Sequence, residues 1–442
     1  MEMKNIKKKD KEKKAIEKRE KKKNKWVSRG ITLALILVVL IYVGAFPTIL
    51  RPGKIEGFAE AVTDLSGIQI PEGTRIVALG EATHGNKEFQ QLKLEVFKHL
   101  VETTNVRAFV LEGDMGGCAL VNEYVQGGEG DLKEIVQLLG YRIYRTDQMA
   151  ELISWMREYN EKADESDKVR IYGMDIQYNT RCIKLLKDGY QKVGDPREYS
   201  VKIDQWFGSE EDQYEPSKVN EILDFIKEMK GDIQDYKDEY QKAMGTDAYE
   251  TFSQAAVNLE YYLHYRETEN YSHRYRDERM KDNVSRALEL EEKEHNSALM
   301  ISCHNDHMSQ IQATAFTFLG VFLQEEYGDA YFTIGTDYYI TDDNIRGSEG
   351  SRDILHVCSD DKLAYQVKSL PGNQYYLDFA KVAADSKLGK VIRSKVSMGS
   401  LGEQYSPLYR FVKKCHQLTH VPMEKYDAMI YVYQATPIEV WE

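Results

Sequence analysis

Four short apolar runs, each ending in a cluster of carboxylate or imidazole side chains, constrain this chain more than any other feature. They are Arg75–Leu79, Arg107–Leu111, Val169–Met174 and Ala298–Cys303, followed by GEATHG, EGD, DIQ and HNDH. Runs of this length, separated by helical patterns, read as strands buried on both faces of a largely parallel sheet. Helical spacing recurs between them: Phe89, Leu92, Val96, Phe97, Leu100 and Val101 after the first run, and Leu152, Trp155, Met156 and Tyr159 before the third. Further strands are expected at Tyr331–Ile334 and Ala428–Tyr433. The predicted fold class is α/β, a mostly parallel central sheet flanked by helices. Open sheets of this kind bind ligands outside the carboxyl ends of their strands, so the four clusters should converge on one cleft.

Residues 180–296 are charged and tyrosine-rich. They carry three helical faces: Ile222, Phe225, Ile226, Met229 and Ile233; Phe252, Ala256, Leu259 and Leu263; and Met280, Val284, Ala287 and Leu288. This stretch is read as a helical cap inserted over the strand ends.

At the other end, residues 1–30 hold fourteen Lys and Arg against five Asp and Glu, and they lead into twenty uncharged residues, 31–50. Twenty apolar residues suit a helix crossing the hydrocarbon core, and flanking Lys and Arg favour the cytoplasmic side. The expectation is a basic cytoplasmic tail (1–30), a transmembrane signal anchor (31–50) and an extracellular domain (52–442), making a single-pass protein of the cell membrane. The net charge is −13, which leaves −22 on the rest of the chain. A body that acidic is unsuited to nucleic acid. Five scattered cysteines without a C-x-x-C pair exclude a disulfide scaffold and a zinc ribbon.

The clusters carry the chemistry. Glu81 and His84 lie three apart, with Glu88 four residues further on, so a carboxylate can orient the imidazole. Glu112 ends the second run. Asp114 beside it reads equally as a helix N-cap. Asp175 ends the third run. His304 and His307, three apart after an apolar strand, have no packing reason to be there and could relay a proton, polarise a carbonyl or ligate a metal. Cys303 ends an apolar run and reads as a small buried hydrophobe. There is no G-x-S-x-G elbow, Walker A loop, H-E-x-x-H or G-x-G-x-x-G, which disfavours a serine hydrolase of the usual α/β type, a nucleotide enzyme and a zincin. Three readings stay open: histidine-activated water with no cofactor required, a divalent metal held by His84, His304, His307 and a glutamate, or a non-catalytic envelope protein binding polysaccharide.

Taken together, the sequence resembles the erythromycin esterase family, including bacterial proteins labelled for succinoglycan biosynthesis. The resemblance rests on IVALGEATHGNKEF (76–89), FVLEGDMGGCALVNEYV (109–125), TDQMAELISWMREYN (146–160) and VRIYGMDIQ (169–177). It continues through YRDERMKDN (275–283), SCHNDHM (302–308), GTDYY (335–339) and YDAMIYVYQATP (426–437). It implies an α/β core with a helical cap, and hydrolysis of a macrolide lactone or a related small-molecule or glycan ester by histidine-activated water, without an obligatory metal. Carried over to this chain, His84 is the base and Glu81 orients it. Glu112 lines the cleft, His304 and His307 polarise the carbonyl, and Arg276 stabilises negative charge. Glu88, Asp114 and Asp175 stand as substrate-binding candidates.

Overall fold

A computed structural model describes residues 2–42, 52–207, 214–267, 272–312, 316–347, 350–403, 406 and 412–441. The chain forms two compact units, residues 1–51 with 406–416, and residues 52–405 with 417–442.

In the first unit a single helix runs Glu2–Tyr42, and a short 3-10 turn spans Lys413–Cys415. The expected transmembrane anchor over 31–50 is corrected here. No described helix is long and apolar enough to cross a membrane. The described part of the apolar stretch is residues 31–42 of this helix. Its preceding turns are rich in lysine. Residues 43–50 lie outside the described residues. The single-pass membrane localisation with an outward-facing domain falls with the anchor, and the membrane as a partner has no support.

The second unit is a mixed α/β fold with a mostly parallel central sheet. Its strands are β1 (Ile76–Glu81), β2 (Val106–Asp114), β3 (Arg170–Asp175), β4 (Ala298–His304), β5 (Tyr331–Arg346), β6 (Arg352–Cys358), β7 (Gln374–Asp378), β8 (Val396–Gly399), β9 (Gln417–His420) and β10 (Ala428–Ala435). Among the described residues the main sheet runs β3-β2-β4-β1-β5-β10-β7, with β6 pairing β5; β8 and β9 form a separate antiparallel ribbon. The pairs from β3 to β10 are parallel, and only β7 and β6 run antiparallel to their neighbours. Every residue of β1 and β4 is buried, as their continuous apolar runs require. The helix Lys87–Thr103 connects β1 to β2 and buries Phe89, Leu92, Val96, Phe97 and Leu100.

Between β3 and β4 the chain is helical: Thr180–Val193, Tyr199–Phe207, Val219–Asp235, Lys237–Met244, Thr246–Glu267 and His273–Lys293. The first five share an apolar cluster that includes Leu186, Tyr190, Ile226, Phe252 and Leu259. The last places Arg276 and Asp277, in its opening turn, against the carboxyl ends of the strands.

Strands β1 to β4 each end in a charged or imidazole side chain: Glu81, Asp114, Asp175 and His304. Register then brings them side by side: Glu81 pairs with His304 across β1 and β4, and Asp114 with Asp175 across β2 and β3.

Candidate active site

The first corner of the cleft grows from the end of β1. Glu81 is buried and forms an ion pair with the equally buried Lys93 from the following helix. Its other oxygen lies 3.6 Å from His84 Nδ1. Burial resists the carboxylate's charge, but Lys93 and His84 overcome it and hold the group below the usual carboxylate range. On His84 burial disfavours the cation, while Glu81, Glu112 and Glu403 together raise its pKa above the ordinary value. Its side chain keeps 11% exposure; Nδ1 is buried without a hydrogen bond, Glu81 standing beyond bonding distance, and Nε2 makes none among the described residues.

The second corner is a buried charge network. Arg276 donates from Nε to Asp175 Oδ1 at 2.9 Å and from Nη2 to Asp175 Oδ2 at 2.5 Å, the two-pronged geometry for which guanidinium is suited. Nη2 also donates to Glu112 Oε1 at 2.7 Å. Tyr141 adds a hydroxyl to Asp175, and Gln177 an amide at 3.0 Å. His307 is held on both sides. Its Nδ1 is 2.5 Å from Asp277 Oδ1, and its Nε2 is 3.1 Å from Arg276 Nη1 and 3.3 Å from Glu112 Oε1. A neutral ring accepts from the guanidinium at Nε2; a protonated ring donates to Glu112. Burial alone would lower its pKa, yet Asp277 and Glu112 push it up to about 9. Against the desolvation cost, His307, Arg276 and His84 hold Glu112 far below the usual carboxylate range.

His304 lies between the corners and is tied to backbone. Its Nδ1 accepts from Asp306 N–H at 3.3 Å, which leaves Nε2 to donate to the Leu401 carbonyl at 3.1 Å. Its own N–H donates to Glu112 Oε2 at 2.9 Å, and its ring centroid is 5.2 Å from that of His84. Burial and the neighbouring imidazoles outweigh Asp306, and the ring is depressed to about 4. Asn305, the next residue, bridges to β5 by accepting from Thr336 N–H and donating to the Thr336 carbonyl. Gly80 makes room for it, because a Cβ there would lie 2.1 Å from Asn305 Oδ1.

The structure thus brings together Glu81, His84, Glu112, Asp175, Arg276, His304 and His307. It does not bring in the other two. Asp114 caps the helix Met115–Val125 by accepting from Gly117 N–H at 2.8 Å, and it faces Arg181. Glu88 accepts both the N–H and the hydroxyl of Thr436 at 2.7 Å, tying the first helix to the chain after β10.

The residues do not fit a metal. Both His304 nitrogens face backbone groups, the His307 nitrogens face Asp277 and the Arg276–Glu112 pair, and a guanidinium occupies the middle of the acidic cluster. Among the described residues no three His, Cys, Asp or Glu side chains are arranged to hold an ion.

Lys93 and Asp277 belong to the site without having been singled out by spacing. Lys93 had a signal, a lone cation on a helical stripe of Phe89, Leu92, Val96 and Phe97. Asp277 follows Arg276, but nothing local distinguishes it from Glu278 or Asp282.

Comparison with known proteins places this geometry in context. The sequence model of the family described as "Erythromycin esterase" matches residues 101–435. An erythromycin esterase type II of Escherichia coli is 32% identical over 106 residues, 24% of this chain and 24% of its own length. The chain therefore aligns with about a quarter of that curated relative. Among solved structures, a succinoglycan biosynthesis protein superposes with a TM-score of 0.66 at 19% identity, covering 90% of this chain and 95% of its own. The erythromycin esterase EreC, in an open conformation, superposes with a TM-score of 0.58 at 14% identity, covering 84% and 93%. At those identities the structures show a shared fold.

Proposed function

The chain belongs to the erythromycin esterase family, and from that premise we propose that it is a hydrolase that opens an ester bond, a lactone or an acyl ester, by water attack. One observation carries the reading. Of the three cleft histidines, His84 alone has neither ring nitrogen hydrogen-bonded among the described residues, with the Glu81 carboxylate 3.6 Å from Nδ1. His304 and His307 are engaged at both.

In this mechanism His84 Nε2 takes a proton from water as the water oxygen bonds to the ester carbon. Glu81 steadies the imidazolium through Nδ1, and Lys93 keeps Glu81 ionised. Negative charge grows on the former carbonyl oxygen, and the cationic corner of Arg276 and His307 offsets it. The tetrahedral adduct then collapses, the bond to the leaving oxygen breaks, and His84 returns its proton to that oxygen. The products are one carboxylic acid and one alcohol. A buried, pre-set pair of cations is suited to this role because little reorganisation is needed at the moment of reaction. The substrate class is a small-molecule or glycan ester.

The test is product formation, followed by mass spectrometry, on a panel of macrolide lactones, acylated sugars and aryl esters. His84→Ala should lose roughly 10²–10⁴ in turnover while its melting temperature stays close to wild type. Activity should survive a chelator. Wild-type turnover in the variant, or loss on chelation, would overturn the mechanism.

A further inference from the structure

Asp343 lies on the extended half of β5, fully buried, and no step above uses it. Its Oδ1 accepts from the Thr83 hydroxyl at 2.7 Å, and Thr83 directly precedes His84. The same hydroxyl oxygen accepts from Gly85 N–H at 3.1 Å, on the far side of His84. The Gly85 carbonyl accepts from Asn344 N–H at 3.1 Å and Ile438 N–H at 2.9 Å. A Cβ on Gly85 would fall 2.1 Å from Asp343 Oδ1 and 2.3 Å from the Asn344 carbonyl oxygen, so the close approach itself demands glycine. The residues on either side of His84 are therefore pinned to adjacent residues of β5, Thr83 to Asp343 and Gly85 to Asn344.

The remaining oxygen of Asp343 is buried without a hydrogen-bond partner among the described residues. A carboxylate kept there on one hydroxyl donor is costly unless it serves something. The charged groups around it are His84, Glu403 and Arg352. Arg352 is already committed to Glu403 and to Asn344. Burial raises Asp343 to about 7, against the Thr83 hydrogen bond and His84.

We propose that Asp343 is a positioning residue, holding the turn Thr83–His84–Gly85 through the Thr83 hydroxyl and so fixing the direction in which His84 presents its ring. The consequence for turnover rests on His84 acting as the base; the orientation itself does not.

The experiment separates the two. In the full chain labelled at histidine, the His84 ring signal, assigned by its loss in His84→Gln, is titrated by NMR in wild type, Thr83→Val, Asp343→Ala, Asp343→Asn and the Thr83→Val/Asp343→Ala pair. Thr83→Val changes no charge, so a fall of the His84 pKa toward the ordinary histidine value reports lost alignment with Glu81. Asp343→Ala should show the fall too, the double variant should add nothing to it, and Asp343→Asn, which removes the same charge near His84 but keeps an acceptor for Thr83, should fall less than Asp343→Ala. On an ester the enzyme turns over, kcat should fall about tenfold or more in Thr83→Val at unchanged KM. An unmoved His84 titration in Thr83→Val overturns the positioning role, and so do additive shifts in the double variant. Should Asp343→Ala fail to fold, the Thr83→Val and Asp343→Asn pair still decides. Moved titrations in a protein that cleaves no ester would leave positioning standing and count against the hydrolase alone.

Discussion

His84 and His307 face the same cleft and are both raised in pKa by carboxylates, yet they are built in opposite ways. His307 is locked among Asp277, Arg276 and Glu112, with a charged partner at each ring nitrogen. His84 has one carboxylate 3.6 Å from Nδ1 and no hydrogen bond at either nitrogen among the described residues. A ring held on both sides makes a fixed charge; a ring held on one side can exchange a proton with something else. The difference divides the cleft into an electrostatic corner and a reactive one. It also predicts that substitutions in the two corners will be felt in different measurements.

The largest effect should come from breaking the fixed corner. Arg276→Met removes the only guanidinium shared by Asp175 and Glu112 among the described residues, leaving Asp175 on the neutral donors Tyr141 and Gln177 and Glu112 with His307 as its close cation. Removing one partner of a buried ion pair costs about 3–5 kcal/mol. Denaturant unfolding of Arg276→Met should show a loss of that order, while His84→Gln should unfold near wild type. Equal losses in both would erase the division.

The division should also appear as a pH profile. His307 is raised to about 9, so its contribution to stability is complete below the ordinary histidine pKa of about 6.5 and fades as pH climbs from there through 9. His304 is depressed to about 4 and is held neutral; its contribution is complete above about 6.5 and is lost as pH falls from there toward 4. The melting temperature should therefore peak between these windows. In Asp277→Asn the alkaline decline should flatten, because His307 loses the partner that most raises it, while the acid side should remain. Turnover should have its own limb: His84 must be neutral to act as base, so activity rises with pH through a value above the ordinary one. A decline in stability that starts on the alkaline side and persists unchanged in Asp277→Asn would assign it to other groups.

These corners were unequally legible in the sequence. The strands showed because a buried parallel strand is a continuous apolar run, and Glu81, Glu112 and His304 stood out as charge where such runs stop. Convergence at the carboxyl ends followed from topology alone. What was illegible depends on pairings distant in the chain. Asp277 meets His307 across thirty residues, Asp343 meets Thr83 across 260, and Leu401 reaches His304 from 97 away. No local period encodes those. The antiparallel strands β6 and β7 share the difficulty, since their sequences alternate weakly and their burial is partial. The membrane anchor rested on the hydropathy of 31–50 alone; no described helix is long and apolar enough to cross a membrane, and residues 43–50 lie outside the described residues.

Asp114 offers the finest test, because it sits two residues beyond Glu112 on the same strand and was a candidate for substrate binding. It is buried to 1% and paired in register with Asp175, so proximity alone would place it in the site. Its oxygen instead accepts from Gly117 N–H, closing the first turn of the helix Met115–Val125, with Arg181 at 3.7 Å. An N-cap aspartate replaced by alanine typically costs about 1 kcal/mol. Asp114→Asn keeps an oxygen that can accept and should cost less. Both variants should leave KM where it is, because the carboxylate is spent on its own helix, whereas Asp175→Asn should disturb the grip on Arg276 and with it turnover. A rise in KM for Asp114→Asn at unchanged stability would move Asp114 back into the substrate's path, and the cleft would then extend past Glu112 to the end of β2.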